Sequence, residues 1–310
     1  MIREIPFTIL RGFCMGAADV VPGVSGGTVA LVLGIYHRLI EAVKTGSTAL
    51  GRFVKFDISG GVDALKQVEW LFLIPLLGGI GAAVVSLAGI IEHQLENNPE
   101  EMAGLFLGLV AGSVVVAWQL LRRRDATSVL VLLGAAAVTF VVLGLREGTS
   151  DDVVAQTADP AIWAFFGAGA IAICAMILPG ISGSFILVML GMYGPVLGAV
   201  TDRDVVSLGV FLVGAVIGLA LFSQALHWAL NRHYDTVMAV LIGLMLGSMR
   251  VLWPWPDGVD STAIGAPEGT VALPAALAVG AAVLVIGFNE VAKRLEQRST
   301  ADEASELQAS

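Results

Sequence analysis

The chain has 310 residues, of which 56% are apolar and only 14% are charged, and its mean hydropathy is +0.85. A typical soluble domain carries about 25% charged residues, so this composition excludes an ordinary soluble protein and predicts several transmembrane helices. The net charge of −9, without a basic face, disfavours nucleic-acid binding. The two cysteines, Cys14 and Cys174, lie in apolar segments, so we expect neither a disulfide framework nor a metal site.

Ten apolar segments follow one another along the chain. They cover residues 5–21, 24–43, 70–91, 102–121, 127–145, 161–178, 181–200, 207–229, 236–253 and 271–289. Short Pro-Gly breaks separate the first segment from the second and the sixth from the seventh, whereas polar loops separate the others. Residues 292–310 are charged and then small and polar, which predicts a cytoplasmic tail with a short helical extension and a disordered end.

The two Pro-Gly breaks belong to an internal repeat. VVPGVSGGTVALVLGIYHRLIEAV at 20–43 matches ILPGISGSFILVMLGMYGPVLGAV at 177–200 with a constant offset of 157 residues. A second match follows later in each half, between GLFLGLVAGSVVVAW at 104–118 and AVLIGLMLGSMRVLW at 239–253. The two matches predict two repeats with the same order of elements, a broken helix pair followed by three spans.

Basic residues near the apolar segments predict how the chain crosses the membrane. Most of them flank the first segment, lie between residues 38 and 66 and at 122–124, or follow the eighth and last segments, and we assign these positions to the cytoplasm. Each broken pair then starts and ends on one side, and the three spans after it cross an odd number of times. The two repeats are therefore predicted to be inverted relative to each other, as in many secondary transporters.

The predicted fold is all-α, a polytopic membrane protein of two inverted-topology repeats with both termini in the cytoplasm. The first repeat covers 1–145, with its broken pair at 5–43, and the second covers 161–291, with its pair at 161–200. Each pair is either re-entrant, with its tip inside the membrane, or made of two full crossings. The uncharged Pro-Gly turns favour the re-entrant form.

The first break predicts an anion site. A proline ends the preceding helix, and the next helix begins where unpaired N–H groups and the positive end of the helix dipole favour phosphate. The alternative is a simple kink in which small residues allow close helix packing, but two copies in inverted frames favour binding. The predicted phosphate-binding residues are Pro22, Gly23, Ser25, Gly26, Gly27 and Thr28 at the first break, and Pro179, Gly180, Ser182, Gly183 and Ser184 at the second.

Three ionisable residues in apolar segments are candidates for coupling or headgroup contact, because a charge inside a membrane is costly and is functional by default. Asp19, whose counterpart in the repeat is Met176, would accept a proton, pair with Arg11 or cap a nearby helix. Arg11 would bind phosphate or extend to the inner headgroups. Arg250 would contact a headgroup or anchor the outer interface beside Trp253.

Other polar residues receive weaker assignments. Tyr36 and Tyr193 match across the repeat and are assigned to interfacial anchoring, with a site hydroxyl as the alternative, whereas Gln224 and His227 are assigned to a helix end. The sequence contains no GxxxxGK[ST] or HExxH motif. We therefore expect no enzyme activity and no cofactor; a catalytic site built from Asp19, His37 and Ser25 is the weaker alternative.

Three stretches carry a family resemblance. RGFCMGAADVVPGVSGGTVALVLGIYHRLI at 11–40, CAMILPGISGSFILVMLGMYGPVL at 174–197 and GLMLGS at 243–248 resemble the integral membrane family long called domain of unknown function 368, over roughly residues 5–291. Members of that family are polyprenyl-phosphate transporters, which return undecaprenyl phosphate from the outer to the cytoplasmic leaflet. The resemblance implies a phosphate-binding region at Asp19 and the two Pro-Gly stretches. If the Lys-poor, acidic composition marks a salt-adapted archaeon, the lipid would be of the dolichyl type.

These observations predict a multi-pass transporter of the cell membrane that moves a polyprenyl phosphate inward, with the phosphate held by two opposed helix N-termini. Inward movement of an anion opposes an inside-negative potential by ~2.3 kcal/mol per charge per 100 mV, so proton coupling is expected. A transporter or channel for a small soluble anion is the alternative, because only the resemblance points to a lipid. The sequence leaves the oligomeric state open, including a homo-oligomer.

Overall fold

The computed structural model of the chain describes residues 4–20, 25–145, 160–256, 258, 264–267 and 269–309. For residues 54, 184, 185, 292 and 295–309, it describes the backbone alone. All the regular secondary structure in this part of the chain is helical.

The described part of the first half contains the helices α1 Ile5–Asp19, α2 Gly26–Val32, α3 Tyr36–Val54, α4 Ile58–Lys66, α5 Trp70–Asn97, α6 Pro99–Leu120 and α7 Ala126–Gly144. The second half contains α8 Ile162–Ile177, α9 Gly183–Met189, α10 Tyr193–Thr201, α11 Val205–Arg232, α12 Tyr234–Ser248 and α13 Ala272–Ala309. A 3-10 helix, Met249–Leu252, extends α12.

Six helices in the described residues are long and apolar enough to cross a membrane. They are α5, α6, α7, α11, α12 with its 3-10 extension, and α13 as far as Val291. These are the six full spans that the sequence predicts, three in each half, and their ends agree to within six residues. Their outer faces carry many exposed large apolar side chains, as lipid contact requires. The all-α, polytopic membrane fold is therefore confirmed.

The segment after each Pro-Gly break is divided in two. The sequence predicts one continuous segment there, but α2 ends at Val32 before α3 begins at Tyr36, and Gly34 between them has a φ of +69°. In the second half, Gly191 separates α9 from α10 with a φ of +67°. A residue with a Cβ is strained in this left-handed conformation, so glycine permits the same turn at both matched positions.

Two polar segments also differ from the prediction. The loop before α5 contains the short helix α4, whose N-cap residue Asp57 accepts a hydrogen bond from the Gly60 N–H at 2.9 Å. The helical extension after the last span is longer than expected, because α13 continues to Ala309.

Two helix pairs lie within the halves and repeat between them. α1 packs along α5, and α8 packs along α11. A Cβ added at Gly12 would lie 2.1 Å from the carbonyl oxygen of Leu76, and one added at Gly169 would lie 2.1 Å from that of Phe211. Gly12 and Gly169 are separated by the repeat offset of 157, so the same glycine brings the backbones together in each half.

Two further helix pairs with close glycine contacts join the halves. α6 packs along α13, and α12 packs along α7. A Cβ added at Gly108 would lie 2.0 Å from the carbonyl oxygen of Ala278, and one at Gly243 would lie 2.4 Å from that of Leu132. Gly108 and Gly243 are matched in the second sequence repeat. The packing thus follows the internal repeat, while the opposite orientation of the two halves in the membrane stays a prediction.

Candidate functional site at the two helix breaks

The first break holds an acidic side chain against the start of a helix. Asp19 Oδ1 accepts a hydrogen bond from the Gly26 N–H at 2.6 Å, and the Ser25 hydroxyl accepts one from the Gly27 N–H at 3.1 Å. Both contacts satisfy N–H groups that the start of α2 would leave unpaired, and the carboxylate lies at the positive end of the helix dipole. In this conformation, Asp19 holds the position that a bound anion would take at this helix start.

The second break repeats this arrangement with a different side chain. A Cβ added at Gly26 would lie 2.5 Å from Asp19 Oδ2, and one added at Gly183 would lie 2.5 Å from Met176 Cγ. Asp19 and Gly26 therefore correspond to Met176 and Gly183, 157 residues later. The two breaks differ in charge, because one carries a carboxylate where the other carries a thioether. Among the described residues they also differ in capping, because the Ser25 side chain caps α2 whereas the Ser182 side chain makes no cap hydrogen bond to α9.

The two breaks contact each other directly. Ser25 Oγ lies 3.2 Å from the Met176 carbonyl oxygen and 3.3 Å from that of Leu178, and it can donate its one proton to either. In the other direction, the Gly180 N–H donates to Thr28 Oγ1 at 3.0 Å. Ser25 and Thr28 are each only 2% exposed. Two hydroxyls that the sequence predicts as phosphate ligands therefore hold the end of α8 and the second break in this conformation.

Tyr36 makes a third contact between the breaks. Its ring is 3% exposed, and its hydroxyl donates to the Ile177 carbonyl at 3.2 Å. The interpretation of Tyr36 as an interfacial anchor is wrong, because the ring is buried beside the second break. Its counterpart Tyr193 is exposed, so the matched tyrosines have different surroundings. No local sequence signal pointed to this role, because the partner of Tyr36 lies 141 residues away.

These contacts satisfy backbone carbonyls that the broken helix leaves without partners. The carbonyls of Met176 and Ile177 belong to the last turn of α8 and lack partners within that helix, and the carbonyl of Leu178 follows directly after it. An unsatisfied carbonyl is costly where no water is present, and broken backbone at membrane depth is tolerated only inside protein or along a cavity. The hydroxyls of Ser25 and Tyr36 supply two donors from the other half of the chain, one to Met176 or Leu178 and one to Ile177.

The structure describes only part of the predicted site. Pro22 and Gly23 lie outside the described residues, as does the side chain of Ser184. Pro179 lies in the turn between α8 and α9, and Ser182 is the N-cap residue of α9. Gly180, between them, has a φ of +85°, which favours glycine at this position.

The two arginines predicted to contact a headgroup lie on separate helices. Arg11 is half-buried on α1, eight residues before Asp19. Arg250 lies on the 3-10 helix after α12, with its guanidinium carbon 4.6 Å from the centre of the Phe140 ring. A Cβ added at Gly144 would lie 2.5 Å from the same carbon. Both contacts are with α7, so Arg250 lies between the end of α12 and α7.

Six spans and two helix breaks that meet each other define a multi-pass integral membrane protein. Among the described residues, no group of three or more His, Cys, Asp or Glu side chains could hold a metal ion. The model of the VCA0040-like family, described as undecaprenyl phosphate translocase-like, matches residues 15–266. The chain belongs to this family, and the resemblance drawn from its sequence is confirmed.

Two relatives are similar over most of their length. A polyprenyl-phosphate transporter of Vibrio cholerae serotype O1 is 42% identical over 250 residues, which cover 81% of this chain and 78% of the relative. A polyprenyl-phosphate transporter of Staphylococcus aureus is 30% identical over 256 residues, which cover 79% of this chain and 85% of the relative. Both names denote transporters rather than enzymes. No solved structure matches the chain.

Proposed function

We propose that this protein carries a polyprenyl phosphate, of the undecaprenyl or dolichyl type, from the outer to the cytoplasmic leaflet of the cell membrane. Both relatives are named for polyprenyl phosphate, and the family is named for undecaprenyl phosphate. The observation that best supports a shared site is the direct contact between the breaks, above all the bond from Gly180 to Thr28. Groups suited to one phosphate thus lie together at the meeting point of the two halves.

In the described conformation, the groups proposed to bind phosphate make hydrogen bonds within the protein. Asp19 uses the Gly26 N–H, while Ser25 and Thr28 are engaged with the second break. A phosphate monoester carries about −1.5 to −2 charges and three strong acceptor oxygens. It could therefore accept hydrogen bonds from the same N–H and hydroxyl groups. Binding would exchange the contacts within the protein for contacts with phosphate, with Ser182 and Ser184 adding donors from the second half.

Asp19 supplies a reason for proton coupling. Its carboxylate and a phosphate would be two anions at one helix start, and like charges at close range disfavour each other's ionised form. A proton taken up by Asp19 or by the phosphate removes this repulsion. The same proton offsets the cost of moving an anion inward against the membrane potential, ~2.3 kcal/mol per charge per 100 mV.

The packing supports a proposal for which helices move during transport. The α6–α13 and α7–α12 pairs join the halves through backbone contacts at glycine, so separating one whole half from the other would break both pairs. The α1–α5 and α8–α11 pairs each belong to a single half. In the proposed mechanism, these two pairs rotate against the four joined helices, and the site between the breaks opens to each side in turn.

Transport in proteoliposomes tests the proposal. Purified protein is reconstituted with a fluorescent polyprenyl phosphate, and the loss of probe from one leaflet is followed for the wild type and the Ser25→Ala/Ser182→Ala variant. We expect movement that depends on the protein and falls at least tenfold in the double variant. Ser86→Ala, which removes an exposed hydroxyl on α5, serves as the control and should transport like the wild type.

The alternative function has a distinct outcome in the same assay. Folded wild-type protein that leaves the lipid in place, but carries inorganic phosphate or another small anion into the vesicles, would contradict the lipid proposal. That result would assign the site to a small soluble anion.

A further inference from the structure

A groove outside the two breaks lies between α3 and α11, which pack along each other. It is therefore built from one helix of each half. Its volume is about 430 Å³, and the residues that line it are Lys44, Gln224, His227, Trp228, Asn231 and Arg232. The proposed transport mechanism gives none of these residues a role.

The groove carries positive charge. Lys44 and Arg232 supply two cations, and the facing acid is Glu41, one turn before Lys44 on α3. His37 and His227 approach each other across the two helices, with ring centroids 6.2 Å apart. Two permanent cations outweigh one carboxylate, so this end of the groove is positive even when both histidines are neutral.

Hydrogen-bond donors lie beside these cations. Asn231 Nδ2 is 2.9 Å from His227 Nε2, one turn earlier on α11. When the amide donates to Nε2, the neutral ring keeps its proton on Nδ1 and can donate from there. The Lys44 ammonium offers three donors and the Arg232 guanidinium offers five in a fixed fork. This donor-rich, cationic set fits a phosphate group.

The adjoining face of α11 is apolar. Leu221 and Trp228 lie about one turn on either side of Gln224 and are 65% and 64% exposed. Residues three and four apart share one face of a helix, so these three side chains form a single stripe. Tryptophan is also typical of the depth at which lipid headgroups lie. A cationic groove beside an apolar stripe suits a ligand with an anionic head and a hydrocarbon chain.

The helix α3 leads from the two breaks to the groove. His37 directly follows Tyr36, whose hydroxyl bonds the Ile177 carbonyl at the second break. Lys44 is eight residues beyond Tyr36, about 12 Å along α3. A headgroup leaving the breaks along this seam would pass His37 and His227 before it reached Lys44.

We propose that the α3–α11 groove is a second binding site for the phosphate headgroup of a polyprenyl phosphate, held by Lys44 and Arg232 as the lipid leaves the two breaks. Its ligand class rests on the proposed function. Its positive charge and its position between α3 and α11 do not depend on the proposed function.

Protection of a single cysteine in the groove tests this site locally. Full-length protein in detergent carries Cys14→Ala, Cys174→Ala and Gln224→Cys, and it is labelled with a water-soluble maleimide. We expect farnesyl phosphate to slow the labelling several-fold. The added change Lys44→Ala/Arg232→Ala should abolish this protection, because it removes both cations.

Two controls separate the groove from general effects of charge. Lys55→Ala/Arg294→Ala removes the same two residue types from exposed positions outside the groove, and protection of Gln224→Cys should persist. A Ser59→Cys protein, with its exposed cysteine on α4, should be labelled at the same rate with and without farnesyl phosphate.

Three probes distinguish the source of the ligand. Stronger protection by farnesyl phosphate than by equal concentrations of inorganic phosphate or farnesol supports a lipid phosphate site. Equal protection by inorganic phosphate would assign the groove to free phosphate and overturn the lipid assignment. Equal protection by farnesol, or no protection by any probe, would overturn the phosphate site.

Transport by the unmodified chain is measured in parallel, so that the two proposals can fail separately. Protection without lipid movement would contradict the transport function and leave the groove supported. Lipid movement without protection would contradict the groove alone.

Discussion

Gly180 donates its backbone N–H to the hydroxyl of Thr28 at 3.0 Å, although the two residues are 152 positions apart. The donor belongs to the second break, and the acceptor belongs to the helix that follows the first. Thr28 is buried, so water does not replace this bond easily. The two breaks therefore act as one structural unit, and a change at one is expected to affect the other.

Replacing Thr28 with valine should destabilise the protein by about 1–3 kcal/mol, because it leaves the Gly180 N–H buried without its acceptor. Valine keeps the shape of threonine, so little packing is lost. Thr28→Ser retains the hydroxyl and should lie closer to the wild type. Thermal unfolding in detergent measures the effect, and a valine variant as stable as the wild type would show that the bond contributes little.

Replacing Asp19 with asparagine should preserve the fold and abolish the response of transport to a pH gradient. The amide oxygen can still accept the Gly26 N–H, but the side chain no longer takes up a proton. The measurement is inward movement of polyprenyl phosphate in proteoliposomes with and without a pH gradient. Met176→Leu, at the matched position of the second break, should keep the wild-type response. An unchanged response in Asp19→Asn would remove Asp19 from the coupling.

Replacing Gly108 with alanine should destabilise the protein by about 1–3 kcal/mol, because the new Cβ would lie 2.0 Å from the Ala278 carbonyl oxygen and force α6 away from α13. The matched control is Gly134→Ala on α7, where nothing lies within 4 Å of the new Cβ. There, the better helix propensity of alanine should stabilise the protein by up to about 1 kcal/mol. Opposite shifts in melting temperature are therefore expected, and equal shifts would argue against tight α6–α13 packing.

Removal of the Asp125 carboxylate should lower the stability of the protein more at neutral pH than in acid. The Ser128 N–H donates to Asp125 Oδ1 at 2.9 Å at the start of α7, and this hydrogen bond lowers the pKa of Asp125 below its ordinary value. A lowered pKa gives stability that is complete above the pKa of the unfolded chain and is lost as pH falls through the folded value. Asp125→Ala should therefore melt below the wild type at pH 7, and the gap should narrow towards pH 3. A gap that is constant with pH would contradict this account.

The spans and breaks follow from the sequence because they depend on local properties. An apolar run of about 20 residues is enough to predict a membrane helix, whatever it packs against. Pro179, two residues after the end of α8, marks a helix end because proline has no N–H to continue one. The repeat also selects Gly108 and Gly243, two glycines that lie against a neighbouring backbone.

The partners of the polar groups do not follow from the sequence. The bond from Tyr36 to the Ile177 carbonyl joins residues 141 positions apart, and no local pattern encodes which helices will meet. The turns at Gly34 and Gly191 could not be predicted from the sequence either, for a different reason. Glycine is frequent in membrane helices, where it mostly allows close packing, so its presence alone does not distinguish a turn from a contact.

Because α6 of the first half packs along α13 of the second half, this contact forms only late in synthesis. Gly108 of α6 lies against Ala278 of α13, so about 170 further residues must leave the ribosome before this contact can form. At about 5–20 residues per second, α6 waits roughly ten to thirty seconds for its neighbour. An apolar helix face can remain exposed to lipid, because lipid tails are themselves apolar. Lipid therefore does not drive the face into non-native contacts, as water would. The arrival of α13 therefore completes the fold, and a nascent chain stalled before α13 would leave α6 exposed to lipid or to other membrane helices.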